Sequence, residues 1–327
     1  MNVKIIFTLF CFGLIACSIG ITYHRPYGNQ LVAPDTIDRR GRYFCGNTHA
    51  HTTNSDGDSG PEEVARWYQK NRYNFLVITD HNKVTKLSEL NTDSFIVIPG
   101  EELTVRAARI PVHVNALNLR HTIRPYKSRT VLNVLQSNIN AIRDMGAVPH
   151  VNHPNWQRAL SEEDLYRVSN YNLFEIFNGS PDANNEGLVT VWDHLLSRGK
   201  LVYGIATDDA HHFKQWGPKY SNPGRGWVCV ESQHLNANEI VHNLDMGNFY
   251  ASTGPRIERI QVWNNNITIH SDGVLTLFYG SGGKLLHKTT KQPAQFQLVT
   301  MEQYVRAEVI DVYSRVAWTQ PVFTRRR

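Results

Sequence analysis

From residue 43 onward the chain repeats one order: a short apolar run, a polar turn, a helical stretch. The apolar runs are Tyr43 to Cys45, Phe75 to Ile78, Phe95 to Ile98, Val112 to Leu117, Ala147 to Val151, Leu173 to Phe177 and Leu201 to Ala206. They have the length of buried strands. Between several of them lie helical patterns, Pro61 to Arg72 with proline in the first turn, Thr130 to Met145 and Glu186 to Arg198. Parallel neighbours need a long crossover, so strand and helix in alternation predict an α/β fold on a parallel sheet. Seven such strands suit either a barrel or an open doubly wound sheet, and the pattern does not separate the two. After Ser252-Thr253-Gly254-Pro255 the texture changes to alternating segments, among them Ile257 to Trp263, Val274 to Tyr279 and Val305 to Val312. This predicts a small antiparallel β unit over 255–327, following an α/β domain over 41–254.

What precedes the domain addresses it. Residues 5–16 (IIFTLFCFGLIA) form an uncharged apolar run behind Lys4, the layout of a secretory signal, and too short to span a bilayer comfortably. The run ends Leu14-Ile15-Ala16-Cys17, which resembles the bacterial lipobox, in which Cys17 would be lipidated and become the mature N-terminus. A plain signal or an uncleaved anchor fits the same run. The expectation is an exported, periplasmic or cell-surface lipoprotein: signal peptide 1–16, tether 17–40 containing Pro26 and Pro34, and a membrane contact through the lipid on Cys17. Cys11 leaves with the signal, so only Cys45 and Cys229 could pair. Both sit in apolar runs and are expected as buried thiols rather than a bridge. No CxxC occurs, which excludes a thiolate zinc finger. The formal charge of +5 is concentrated at the ends, in Lys4, Arg325, Arg326 and Arg327; without these four the remainder carries +1. That balance predicts no strong nucleic-acid surface. Two sequon-like triplets, at Asn178 and Asn266, read as turn asparagines in a bacterial chain.

Chemistry is concentrated where the strands end. The chain has 15 histidines. His49 and His51 follow the first apolar run; Asp80 and His81 close the second; Glu101 and Glu102 close the third. His153 follows the fifth, and Asp208, Asp209, His211 and His212 follow the seventh, while His113 lies inside the fourth. In a parallel α/β architecture the strand C-termini share one edge, so these groups converge although they span 160 positions. Imidazole and carboxylate together coordinate Zn, Mn or Fe, and a bridging acid can hold two ions ~3.5 to 4 Å apart. His49 and His51, two residues apart, share one face of an extended strand and can reach one ion. His24, His121, His194, His234, His242, His270 and His287 lie outside this pattern and are expected as structural or exposed. His150 and His212 neighbour proposed ligands and are expected to support them.

Together His49-x-His51, Ser55-Asp56-Gly57, Thr79-Asp80-His81, Pro99-Gly100-Glu101, His113, His153-Pro154 and Asp209-Ala210-His211 resemble the PHP (polymerase and histidinol phosphatase) superfamily, over about 44–212. The resemblance implies a distorted seven-stranded (β/α) barrel of TIM-like type with a small C-terminal β extension. It further implies two or three divalent ions (Zn, Mn or Fe). One would be held by His49, His51, Glu101 and Asp209; Glu101 would bridge to a second, held by His113 and His153; a third would take Asp56, His81 and His211. In several members a histidine stands at the position of Asp56.

Adjacent divalent ions lower the pKa of a shared water toward ~7 and neutralise charge on a phosphoryl group, chemistry that suits hydrolysis of a phosphorylated substrate. No G-x-S-x-G or basin cysteine offers a covalent nucleophile. Asp80 is the candidate to orient an imidazole or shuttle a proton, and His212, with Lys83, Arg106 and Arg109, to contact phosphate. The near-neutral body favours a monoester or small phosphoester. A phosphodiesterase or nuclease, and a non-catalytic surface-binding lipoprotein on the same scaffold, are the alternatives.

Overall fold

A computed structural model describes residues 37–38, 42–263, 265–298 and 302–323. The signal, Cys17, most of the tether and the terminal arginines lie outside the described residues. In chain order the first strands are β1 (Ile37–Asp38), β2 (Arg42–Asn47), β3 (Phe75–Ile78), β4 (Ile96–Ala107), β5 (Ile110–Leu117), β6 (Val148–Val151), β7 (Leu173–Asn178), β8 (Tyr203–Thr207), β9 (Trp227–Ser232) and β10 (Phe249–Ser252). The helices are α1 (Pro61–Lys70), α2 (Val131–Asp144), α3 (Glu162–Arg167), α4 (Leu188–Ser197) and α5 (Ala237–Asp245). Each element has a local cause. Helix α1 starts at Pro61, places Glu62 and Glu63 in its first turn and Lys70 in its last, and buries Val64, Ala65 and Tyr68. The short α3 is closed by a capping box between Ser161 and Asp164.

Strands β2 to β8 lie side by side in sequence order within one sheet of fourteen strands. The pairs β2–β3, β3–β4, β6–β7 and β7–β8 are parallel, whereas β5 runs antiparallel to both neighbours because a tight hairpin at Ala108–Arg109 leads into it. The strand pairing therefore gives a mixed α/β sheet much larger than the expected seven-stranded barrel, and not all parallel. The run nevertheless curls. Laid flat, β2 and β8 would stand roughly 29 Å apart at ~4.8 Å per strand. Instead Ala50 and Ala210, just beyond their ends, form a parallel bridge.

The remaining strands are β11 (Ile257–Trp263), β12 (Asn266–Ser271), β13 (Leu275–Gly280), β14 (Lys284–Thr289), β15 (Ala294–Gln297), β16 (Tyr304–Ile310), β17 (Val316–Thr319) and β18 (Val322–Phe323). Strands β13, β14, β16 and β17 continue the large sheet through pairing of β17 with β10, and β1, β11, β12 and β15 form a second sheet. A buried ion pair fastens the two parts: Arg306 on β16 reaches Asp193 of α4 through two bonds of 2.8 and 2.7 Å, and Tyr304 donates to the same carboxylate at 2.7 Å.

Cys45 and Cys229, expected as separate thiols, form a disulfide. The cause is register. Strands β2 and β9 are antiparallel neighbours in which these two residues are partners, with Cα atoms 3.9 Å apart, a proximity hidden by 184 positions of sequence.

Candidate metal centre

The loops after β2, β3, β6 and β8, together with facing side chains of β4 and β5, converge on one buried basin. Four overlapping groups have ligand atoms within 4.8 Å of one another: His49, His51 and Asp209; His49, Glu102 and His153; His81, Glu102 and His113; and His51, Asp56, His81 and His211. Every residue predicted as a ligand is present except Glu101, whose place is taken by Glu102. Pairing in β4 supplies the reason. The strand does not end at Pro-Gly-Glu but runs on to Ala107, with Glu102 opposite Asn115 and Thr104 opposite His113, all on the basin face. Period-two alternation turns Glu101 to the other face, where its carboxylate accepts from the Ile123 N–H at 3.1 Å. Burial there pushes its carboxyl up to about 7.

Glu102 is the central group. Its two oxygens lie 2.8 Å from His113 Nδ1, 3.0 Å from His81 Nδ1, 3.3 Å from His51 Nε2, and 3.5 Å from both His49 Nε2 and His153 Nε2. Asp209 Oδ1 stands 3.2 Å from the Nε2 atoms of both His49 and His51. Across the basin Asp56 lies 3.4 Å from His81 Nε2 and from His211 Nε2. Burial disfavours charge on Glu102 and Asp209, but the surrounding imidazoles outweigh it and hold both carboxyls well below their usual range. His49 answers in the opposite sense: burial opposes its charge, yet Asp209, Glu175 and Glu102 raise it.

The donor set fits divalent metal. The Nδ1 of His49 lies 2.7 Å from Glu175, which fixes Nδ1 as the N–H and leaves Nε2 a lone pair. That Nε2, and the Nε2 of His51, are buried without a hydrogen-bond partner among the described residues. Both face carboxylate oxygens of Asp209 and Glu102, an arrangement that a cation held between them would satisfy. Imidazole and carboxylate oxygen together form a donor set that suits a divalent cation.

Residues beyond the predicted set hold the ligands in place. Glu175, inside β7 and buried, accepts from His49, from the His153 N–H at 2.6 Å, from Thr207 at 2.7 Å and from Asn178 at 2.9 Å. Its carboxyl, despite burial, is lowered to about 2 by His49. Asn178 also donates to Asp209 at 3.1 Å, so it is a basin residue and not a simple turn asparagine. Asn152 donates to Glu102 at 2.7 Å. An acid in the apolar run Leu173 to Phe177 was a signal: a carboxylate inside a buried strand needs a partner.

The other predicted site residues stand apart. Asp80 accepts from the Thr52 N–H at 2.7 Å, from Ser55 at 2.9 Å and from Thr85 at 2.5 Å, and so fastens the loop that carries Asp56. No imidazole is among these partners. The ring of His212 packs 5.1 Å from Tyr220, and it joins none of the four ligand groups. His150 lies beneath the basin, 3.7 Å from Glu175, and burial lowers it to about 4.

Solved structures similar to this chain include one that carries the PHP name. A two-domain protein from Bacteroides vulgatus containing a predicted PHP-like metal-dependent phosphoesterase aligns at 16% identity and a TM-score of 0.49, covering 86% of this chain and 94% of its own. A proposed metal-dependent phosphoesterase from Bifidobacterium adolescentis aligns at 15% and 0.38, over 61% of this chain and 94% of its own. An amidohydrolase from Chromobacterium violaceum, with bound sulfate and no metal, aligns at 13% and 0.40, over 54% and 93%. No family model and no curated protein matches the chain.

Proposed function

We propose that this protein is an exported, PHP-type metal-dependent phosphoesterase acting on a monoester or other small phosphoester. The observation that carries the reading is the convergence of His49, His51, Asp56, His81, Glu102, His113, His153, Asp209 and His211 into overlapping ligand groups on one curled sheet, supporting a distorted barrel. Two or three divalent ions bound there would supply Lewis acidity for the phosphoryl group and a water acidic enough to ionise near neutral pH. Glu102, which faces both the His49/His51/Asp209 group and the His113/His153 side, would contribute to holding ions on both sides of the basin. The protein does the rest. Glu175 fixes the tautomer of His49 and the backbone of His153, Asn152 and Asn178 orient the two central carboxylates, and Asp80 secures the Asp56 loop. Export is supported by the apolar run 5–16 and the lipobox-like Leu14-Ile15-Ala16-Cys17, through which we place the lipid anchor; the Cys45–Cys229 bridge suits an oxidising compartment.

The test is hydrolysis of p-nitrophenyl phosphate and bis-p-nitrophenyl phosphate by manganese- or zinc-reconstituted protein and by Glu102→Gln. The monoester is expected to be the better substrate, and the variant to lose at least about a hundredfold in kcat/KM through lost metal. Stoichiometric metal with turnover of neither ester would instead indicate a binding protein.

A further inference from the structure

The near-neutral average of the chain conceals one region of single sign. From Leu103 to Arg143 there are seven basic residues and no Asp or Glu. The fold gathers part of this run against the metal basin. Strand β4 places Glu102, Thr104 and Arg106 on one face, so the strand that supplies the central carboxylate presents a guanidinium about 13 Å further along. The segment after β5 is pinned beside it: Glu101 accepts from the Ile123 N–H, and the Thr122 hydroxyl accepts from the Val84 N–H at 3.1 Å. The result is a cleft of about 570 Å³ lined by Asn82, Thr104, Arg106, Arg124 and Lys127 among others, with no acid in its wall. It opens directly beside the basin. Thr104 Oγ1 lies 2.6 Å from Nδ1 of the ligand His81, and Asn82 follows His81 in the chain and bonds Thr104 through both backbone groups.

Among the described residues no salt bridge engages Arg106, Arg124 or Lys127. One Arg106 nitrogen donates to the Arg109 carbonyl at 2.8 Å, which steadies the guanidinium over the hairpin turn. Three cations left without counter-charges at the edge of a phosphoester site attract an anion, and guanidinium matches phosphate or carboxylate through paired N–H donors. We infer that this cleft binds a second anionic group of the substrate, so that the preferred substrate is a small phosphoester carrying a further phosphate or carboxylate. The inference rests on the phosphoesterase reading of the basin and specifies its substrate class.

The probes are fructose 1-phosphate and fructose 1,6-bisphosphate, and the readout is the ratio of their kcat/KM values for wild type and for Arg124→Gln/Lys127→Gln. Wild type is expected to prefer the bisphosphate by roughly tenfold or more, the preference falling as salt rises. In the double variant the ratio should collapse toward one. Lys288→Gln, in β14 and remote from the cleft, controls for net charge and should keep the ratio. A wild-type ratio near one, with fructose 1-phosphate turned over, would overturn the inference and leave the phosphoesterase reading intact; so would a high ratio untouched by the double variant. A single-stranded oligonucleotide cleaved in preference to the bisphosphate would overturn the small-substrate assignment. Isothermal titration of the same proteins with the two sugars gives the ratio as dissociation constants. Failure to hydrolyse either ester would therefore count against the proposed function, while equal affinities for both sugars would count against the cleft.

Discussion

Glu101 and Glu102 are adjacent in sequence and opposite in chemistry. One faces five imidazoles and is held ionised; the other is buried among neutral groups, with its carboxyl raised to about 7 from 4.5. A carboxyl whose folded pKa is raised binds its proton more tightly in the folded chain. Stability is therefore lost as pH climbs from about 4.5 through about 7, by up to about 3 kcal/mol for this group alone. Glu101→Gln should melt like wild type near pH 4.5 and at a higher temperature at pH 8, with its metal retained. Equal melting temperatures at both pH values would show that Glu101 is not in an apolar site. Glu175 acts through His49. Glu175→Gln is expected to weaken metal binding about 10- to 100-fold, measured by competition with a chromophoric chelator, while leaving the circular dichroism spectrum unchanged; unaltered metal affinity would remove its positioning role.

At the scale of elements, the strands that carry ligands were legible because each is a short apolar run closed by a polar group, and residues at strand ends keep their address whatever the sheet closure. His49, His51, His81, His153, Asp209 and His211 all sit where that logic puts them. What failed were features set by register. Which of two consecutive acids faces inward depends on pleat phase and on where β4 ends, and a run that continues seven residues beyond Gly100 gives no sign of it in hydropathy. The Cys45–Cys229 pair depends on β9 lying next to β2, a long-range choice with no local signature. That bridge closes a loop of 184 positions. Replacing both cysteines with serine should cost about 2–5 kcal/mol in denaturant unfolding; an unchanged midpoint would mean the thiols are not joined.

For the molecule as a whole, the C-terminal strands lengthen the sheet that carries the basin, and Arg306 buries its charge against Asp193 across the junction. Arg306→Leu leaves that acid uncompensated and is expected to destabilise the protein by about 3–5 kcal/mol; a stable variant would show the two parts to be independent. Cys17→Ala should move the protein from the membrane to the soluble fraction of the producing cell and abolish labelling by a radioactive fatty acid; persistence of both would contradict the lipid anchor. Neither result touches the centre of the account, which is that distant imidazoles and acids form one cation cluster. Anomalous diffraction from crystals grown with manganese or zinc tests it most directly. The prediction is two or three peaks inside the basin, one between Asp209 and the Nε2 atoms of His49 and His51, and another beside Glu102, His113 and His153. A map with these side chains ordered and no anomalous peak among them would contradict it.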